Sequence, residues 1–243
     1  MNKTYACSDL HGRYDLWLQI LNYCDETDTI YFLGDAIDRG PEGFEVMRSL
    51  LQDPRVKYLK GNHEELLVNA SLYLFGEEAD MESYIIWLHN GGHNTYARLF
   101  ANQPIEVSEN YVSILKKLPV ISIYNNKNNQ KVILTHAGCD PDSITNVLWN
   151  REHLFTSKWT GEENTFIVHG HTPVQHLIRR HFERIETFNK KSFNPNSSPQ
   201  VAYYCNRHKI DIDIGAYAVG KAALLDLDTF EPIYFFAENE NLI

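Results

Sequence analysis

Five short apolar runs, each stopping at Asp, His or Asn beside glycine, constrain this chain more than anything else in it. Residues 4–8 lead into Asp9-Leu-His11-Gly12, residues 29–33 into Gly34-Asp35-Ala-Ile-Asp38-Arg39-Gly40, and residues 56–59 into Gly61-Asn62-His63-Glu64. Residues 131–135 lead into His136-Ala-Gly138, and residues 166–168 into His169-Gly170-His171-Thr172. Runs of this length read as strands. Between the first three lie helical patterns at 14–24, with Leu16, Ile20, Leu21 and Tyr23, and at 43–51, and a further helix opens near Glu64. A βαβαβ order predicts an α/β fold with parallel strands and right-handed crossovers. The carboxyl ends of such strands converge on one crevice, so the five clusters are expected to meet in space, with glycine allowing sharp turns and close backbone approach.

The rest of the chain fits around that frame. Residues 66–118 read as mainly helical, broken at Gly76 and at Gly91-Gly92 and ended by Pro119. Strands at 120–124 and 131–135 flank an Asn-rich hairpin turn at 125–129. Late strands are expected at 210–214, 222–227 and 233–236, and residues 193–199 read as a loop. There is no internal repeat and no linker, so residues 1–243 are expected to form one domain. A 43 % hydrophobic and 22 % charged composition is globular, which excludes a disordered chain or a coiled-coil rod.

Charge and cysteine content narrow the setting. Lys plus Arg number 22 against 32 Asp plus Glu, a net charge of −10, which repels nucleic-acid backbones and anionic membranes; neither is an expected partner. A small anionic substrate requires a local positive site such as a bound metal. No apolar run nears the roughly 18 residues of a membrane span, and the first residues lack a signal-peptide apolar region; a cytoplasmic location is expected. Cys7, Cys24, Cys139 and Cys205 are scattered, as free thiols in a reducing compartment would be.

Asp, His and Asn suit Mn, Fe or Zn better than a soft thiolate site does. The candidates outnumber one coordination sphere. Two metals about 3.5–4 Å apart, sharing a carboxylate, would use them and suit in-line displacement at phosphorus, while Arg39 and Arg151 offer planar forks for a phosphate.

Asp9-x-His11, Gly34-Asp35-x-x-Asp38-Arg39-Gly40 and Gly61-Asn62-His63-Glu64, in that order, resemble the metal-dependent phosphoprotein phosphatase family of the calcineurin-like metallophosphoesterases. Thr135-His136-Ala-Gly138, Leu148-Trp149-Asn150-Arg151 and Gly170-His171-Thr172-Pro173 look like the bacterial and phage serine/threonine phosphatases in particular. The resemblance covers about residues 5–173, and Asp213-Ile-Gly215 echoes a later family strand. It implies a central β-sandwich flanked by helices on both sides. It also implies two divalent ions, manganese foremost, with Asp9 and His11 on the first, Asp35 bridging, and Asn62, His136 and His171 on the second. A metal-bridging hydroxide would be the nucleophile, His63 the proton donor to the leaving oxygen, Asp38 its orienting partner, and Arg39 and Arg151 the ligands of the phosphoryl oxygens. Two positions depart from the pattern. Ser8 stands where the family has glycine, and Lys60 where many relatives have another phosphate-binding arginine, so the bidentate fork is lost there.

Hydrolysis of phosphoserine and phosphothreonine in proteins is therefore the expected activity. Symmetrical diadenosine tetraphosphate hydrolases share most of the motifs and supply the alternative substrate, a small phosphorylated molecule; Asp38 in Asp-Arg-Gly leans toward the protein phosphatase. A metal-binding module without activity is disfavoured because every expected ligand and the proton donor are present, and a nuclease by the −10 charge. His169 is expected to line the site rather than to ligate, His89 and His93 to belong to a structural turn, and residues 178–182 to form a solvated face. A cysteine nucleophile would want a cationic neighbour, and none is specified.

Overall fold

The structure, a computed structural model, describes residues 2–76, 81–155, 159–176 and 198–237. The basic stretch 178–182 and residues 193–197 lie outside the described residues. The first half alternates as the sequence predicts: β1 (Thr4–Cys7), α1 (Tyr14–Tyr23), β2 (Thr29–Phe32), α2 (Gly43–Gln52), β3 (Val56–Tyr58) and α3 (Asn62–Leu74). β1, β2 and β3 are parallel neighbours in that order. Two right-handed crossovers that step in the same direction put both helices on one face of the sheet and leave the other face for a second layer.

That second layer is another sheet. After α4 (Met81–Trp87), a short α5 (His93–Tyr96) and α6 (Ile105–Lys116) come β4 (Ile121–Asn125), β5 (Lys131–Thr135), β6 (Thr165–His169), β7 (Ala202–Tyr204) and β8 (Lys209–Asp211). They form a sheet of order β4-β5-β6-β8-β7, while β9 (Lys221–Asp226) and β10 (Pro232–Phe236) return to the first sheet, giving β10-β9-β1-β2-β3. Both sheets are mixed: the first is parallel from β1 to β3 and antiparallel on the β9–β10 side, and the second has a parallel centre, β5-β6-β8, with antiparallel edges.

The two-residue side-chain period of a strand divides the core. Ala6, Tyr31 and Leu225 point inward onto Leu134, Val168 and Ile210 of the second sheet. Cys7, Phe32 and Leu224 point outward onto Leu16, Trp17 and Ile20 of α1, Val46, Met47 and Leu50 of α2, and Leu67 and Ala70 of α3. Each such side chain, fully buried, contributes roughly 1.5–3 kcal/mol. The outer face of the second sheet, at Ile133 and Ile167, is covered by Cys139 and Val147 of the following loop.

Two details differ from the sequence reading. The strand expected over 210–214 pairs only as far as Asp211, opposite His169; β6 turns away at Gly170, and Ile212 keeps one bond, its N–H donating to the His169 carbonyl. β7 has no counterpart among the expected strands: it is as short as β3 but lacks the glycine-flanked polar cluster that marks the end of β3.

Candidate metal centre

The parallel strands end side by side, and their loops continue the ladder in turned backbone. The N–H groups of Asp9, His11 and Gly12 donate to the carbonyls of Gly34, Asp35 and Ala36, and Gly170 N–H donates to the His136 carbonyl. Six of the ten residues nominated from sequence, Asp9, His11, Asp35, Asp38, Arg39 and His171, have φ between 43° and 73°. For His and Arg this left-handed conformation is uncommon, and a cluster of such residues marks a site where the surroundings impose geometry. Gly61 shows how tight the fit is: a Cβ there would run into the Asp35 carboxylate and backbone.

Asp35 is the centre. Its Oδ2 lies 3.5 Å from His11 Nε2, and its Oδ1 lies 3.5 Å from His136 Nε2. The buried side chains fall into two groups that share it, His11–Asp35–His63 and Asp35–His136–His171. Asn62 joins the second, its Oδ1 being 2.7 Å from His136 Nε2 and 2.8 Å from His171 Nδ1. The N-terminal turn of α3 supplies Asn62 and His63 together, and the His63 N–H donates to Asp35 Oδ1 at 3.0 Å. Asp9 is outside both groups. Its carboxylate accepts the Ser8 hydroxyl and the His171 N–H, so the serine that replaces the family's glycine is used to hold it.

The donor set fits cations. His11 Nδ1 faces the Ile37 carbonyl and His136 Nδ1 the Leu33 carbonyl, both at 2.9 Å. A carbonyl only accepts, so these nitrogens carry the protons and each Nε2 turns a lone pair on an Asp35 oxygen. His171 Nδ1 lies 3.2 Å from His136 Nε2, while its Nε2 is buried with no hydrogen-bond partner among the described residues. Lone pairs crowded this closely repel unless a positive ion sits among them. Ligand atoms about 2.0–2.2 Å from one ion are separated from each other by about 3.0–3.5 Å, the spacing of Asp35 from His11 and His136 and of His136 from His171, with Asn62 Oδ1 closer still. The locked tautomers are those that metal-binding histidines adopt.

Electrostatics agree. Burial, with help from His63 and Arg39, holds His11 well below the usual imidazole range, and burial with His136 does the same for His171. Both stay neutral bases. Burial pushes the Asp35 carboxyl up against the pull of His63, a cost that a bound cation reverses.

The proton-transfer candidates sit on the His11 side. His63 Nδ1 donates to Asp38 Oδ2 at 2.7 Å, both side chains being buried. Burial works against charging His63, but Asp35 and the Asp38 bond outweigh it and raise its pKa. Arg39, exposed at the surface, has Nη2 3.1 Å from His63 Nε2. Arg151 flanks the opposite side, where its Nε donates to Thr172 Oγ1 at 3.3 Å, next to His171. The two exposed forks thus bracket the cluster. Lys60 does not: its ammonium is buried and donates to Glu65 Oε2 at 2.9 Å and the Lys116 carbonyl at 3.1 Å.

Several supporting residues have no assigned role in the sequence reading. Glu64 is fully buried and accepts the N–H groups of Asp35, Ala36 and Gly61 and the Tyr58 hydroxyl. Its place three residues after Gly61 is the capping-box position, a signal that could have found it. His169, beside the site as expected, is bonded through Nε2 to the Tyr204 hydroxyl at 2.5 Å, and Tyr204 also reaches His153 Nδ1 at 3.2 Å. His89 and His93 are exposed. All four cysteines are buried free thiols, and burial pushes Cys139 up to about 11 and Cys24 to about 12, far from a thiolate. Among the described residues no helix is long and apolar enough to cross a membrane.

Comparison with known proteins agrees with this geometry. Residues 3–215 match the model of the calcineurin-like phosphoesterase family. A serine/threonine-protein phosphatase 2 of Salmonella typhimurium is 29 % identical over 164 residues, covering 63 % of this chain and 70 % of that protein. An asymmetrical bis(5'-nucleosyl)-tetraphosphatase of Bacillus velezensis is 27 % identical over 203 residues, covering 69 % and 76 %. Among solved structures, a putative diadenosine tetraphosphatase superposes with a TM-score of 0.60 at 17 % identity, over 98 % of this chain and 95 % of that one; at that identity the likeness shows the shared fold.

Proposed function

The chain belongs to the calcineurin-like phosphoesterase family, a family of metal-dependent hydrolases, and on that premise we propose that it hydrolyses phosphomonoesters, phosphoserine and phosphothreonine in proteins. The observation that carries this reading is the His63–Asp38 pair, 2.7 Å apart and beside the candidate ligands. A serine or threonine alkoxide is a poor leaving group and needs a proton as the P–O bond breaks, so a poised general acid repays its burial. A nucleoside polyphosphate leaves as a stabilised anion and needs that proton less.

In this reading His11, Asp35, Asn62, His136 and His171, with Asp9 alongside, hold two divalent ions, manganese in preference to iron or zinc. When bound, the ions supply the charge that activates water and polarises the phosphoryl group. Arg39 and Arg151 grip phosphoryl oxygens from the two sides, with hydrogen bonds that strengthen in the transition state. Lys60 takes no part, being spent on Glu65 and Lys116, so two forks hold the phosphate. Once Arg39 turns from His63 Nε2 onto the phosphate, the protonated His63 gives its Nε2 proton to the leaving oxygen while Asp38 fixes the ring. The whole chain acts as one domain, in the cytoplasm.

The similarity to a bis(5'-nucleosyl)-tetraphosphatase over 203 residues favours the second reading, a dinucleoside polyphosphate hydrolase using the same residues. Purified protein loaded with Mn2+ and given a phosphoserine peptide or diadenosine tetraphosphate decides between them. A higher kcat/KM on the peptide is expected. The reverse order would hand the site to the nucleotide.

A further inference from the structure

The helical segment between α3 and the second sheet grips the Asp38-Arg39 turn. Trp87, fully buried at the end of α4, directs its indole N–H between the two oxygens of Asp38, at 3.0 Å from Oδ2 and 3.1 Å from Oδ1. Oδ2 is the atom that accepts His63 Nδ1. Thr95 Oγ1 accepts the Asp38 N–H at 3.0 Å, the Gly91 carbonyl accepts the Arg39 N–H at 2.9 Å, and Asn94 Nδ2 donates to the Arg39 carbonyl at 2.9 Å. All four gripping residues come from the one stretch 87–95.

That stretch is built for close approach. A Cβ on Gly92 would run into the Trp87 indole, and Gly91, at φ 103°, would carry its Cβ into Arg39. Asp38 and Arg39 themselves have φ of 69° and 62°, a conformation the turn holds against its own preference. Asp38 is fully buried, and a buried carboxylate is tolerable only when its lone pairs are met by donors. Among the described residues His63 and Trp87 are the donors seen on it. Remove the indole N–H, and the carboxylate is free to swing about its Cβ, taking the imidazole plane with it.

We propose that Trp87, assisted by Thr95, is a positioning residue for proton transfer: it fixes Asp38 so that His63 Nε2 faces the leaving oxygen. This rests on the reading of His63 as proton donor. A tryptophan that merely fills the core would be replaceable by any ring of similar shape; one that positions Asp38 is not, because the N–H is what acts.

Trp87→Phe keeps an aromatic ring against Tyr84, Phe100 and Gly92 and deletes the donor. Its kcat on a phosphoserine peptide should fall about 10- to 100-fold, the usual cost of a lost supporting bond. KM, bound metal per chain and kcat on 4-nitrophenyl phosphate, whose leaving group needs little protonation, should stay close to those of the parent. His63→Asn run in parallel should lose about 10²–10⁴-fold on the peptide, again with the nitrophenyl substrate spared, and Trp87→Phe should cost nothing further in that background. Equal losses on both substrates, lost metal, or no loss at all in Trp87→Phe beside a selective loss in His63→Asn would overturn the role of Trp87 and leave His63 standing. Equal losses in His63→Asn would instead sink the proton-donor reading. If Trp87→Phe does not fold, Thr95→Val carries the same comparison, with a smaller selective loss expected and an unselective or absent one counting against the proposal.

Discussion

Asp35 faces both groups of candidate ligands through its two oxygens, 3.5 Å from His11 on one side and from His136 on the other. Asp35→Asn preserves the shape but removes the charge from both sides and turns one oxygen into a donor that repels a cation. Metal content and activity should therefore fall together. Elemental analysis that still finds two ions per chain would remove Asp35 from the shared position. At this scale the sequence was informative because the chemistry is local: Asp9-x-His11 and Gly61-Asn62-His63 write neighbouring candidate site residues next to each other. Lys60 was ambiguous because its role depends on Glu65 and on a carbonyl 56 residues away. Trp87 was hidden for the same reason, its partner Asp38 lying 49 residues back.

The loops that carry His136, Arg151 and His171 are braced from behind by side chains of other elements. His153 Nε2 meets the Ala137 carbonyl, one residue past His136, and His169 Nδ1 meets the Gly170 carbonyl, one residue before His171. The Tyr204 hydroxyl, from β7, gives its one proton to His169 Nε2 and sits 3.2 Å from His153 Nδ1. Burial holds both histidines neutral, His169 down to about 3, so each imidazole has one donor and one acceptor to satisfy. Tyr204→Phe leaves a buried ring nitrogen unpaired, at a cost of about 1–3 kcal/mol. It should loosen the His136 and His171 loops and weaken binding of one ion while sparing the other. A metal titration read beside a denaturant midpoint checks this; unchanged affinities with a lowered midpoint would make the brace purely structural. The first three strands were legible because each short apolar run stops at an Asp, His or Asn cluster beside glycine, and the helices between them because their apolar spacing is long enough to show. β7, as short as β3 but followed by Cys205-Asn206-Arg207 and no glycine cluster, was not, yet it carries the brace.

At the scale of the molecule, the candidate centre is a seam. Asp9, His11, Asp35, Asn62 and His63 follow strands of the first sheet, and His136 and His171 follow strands of the second. Two sheets that otherwise meet through apolar side chains such as Ala6, Leu33, Leu134 and Val168 are held at one end by polar groups that repel each other until a cation arrives. Binding energy at such a seam is stability energy, since the unfolded chain offers no preformed site. At a free concentration 100-fold above its Kd, each ion adds about 2.7 kcal/mol. Chelation should thus lower the unfolding temperature of the protein, and Mn2+ should restore it in a concentration-dependent way. In Asp35→Asn the same titration should be nearly flat, because the shared carboxylate is what couples the ions to both sheets. Parent protein whose unfolding temperature ignores both chelator and Mn2+ would contradict a centre that joins the sheets. The same measurement made on Trp87→Phe should follow the parent curve, separating the residues that hold the metals from those that aim the proton.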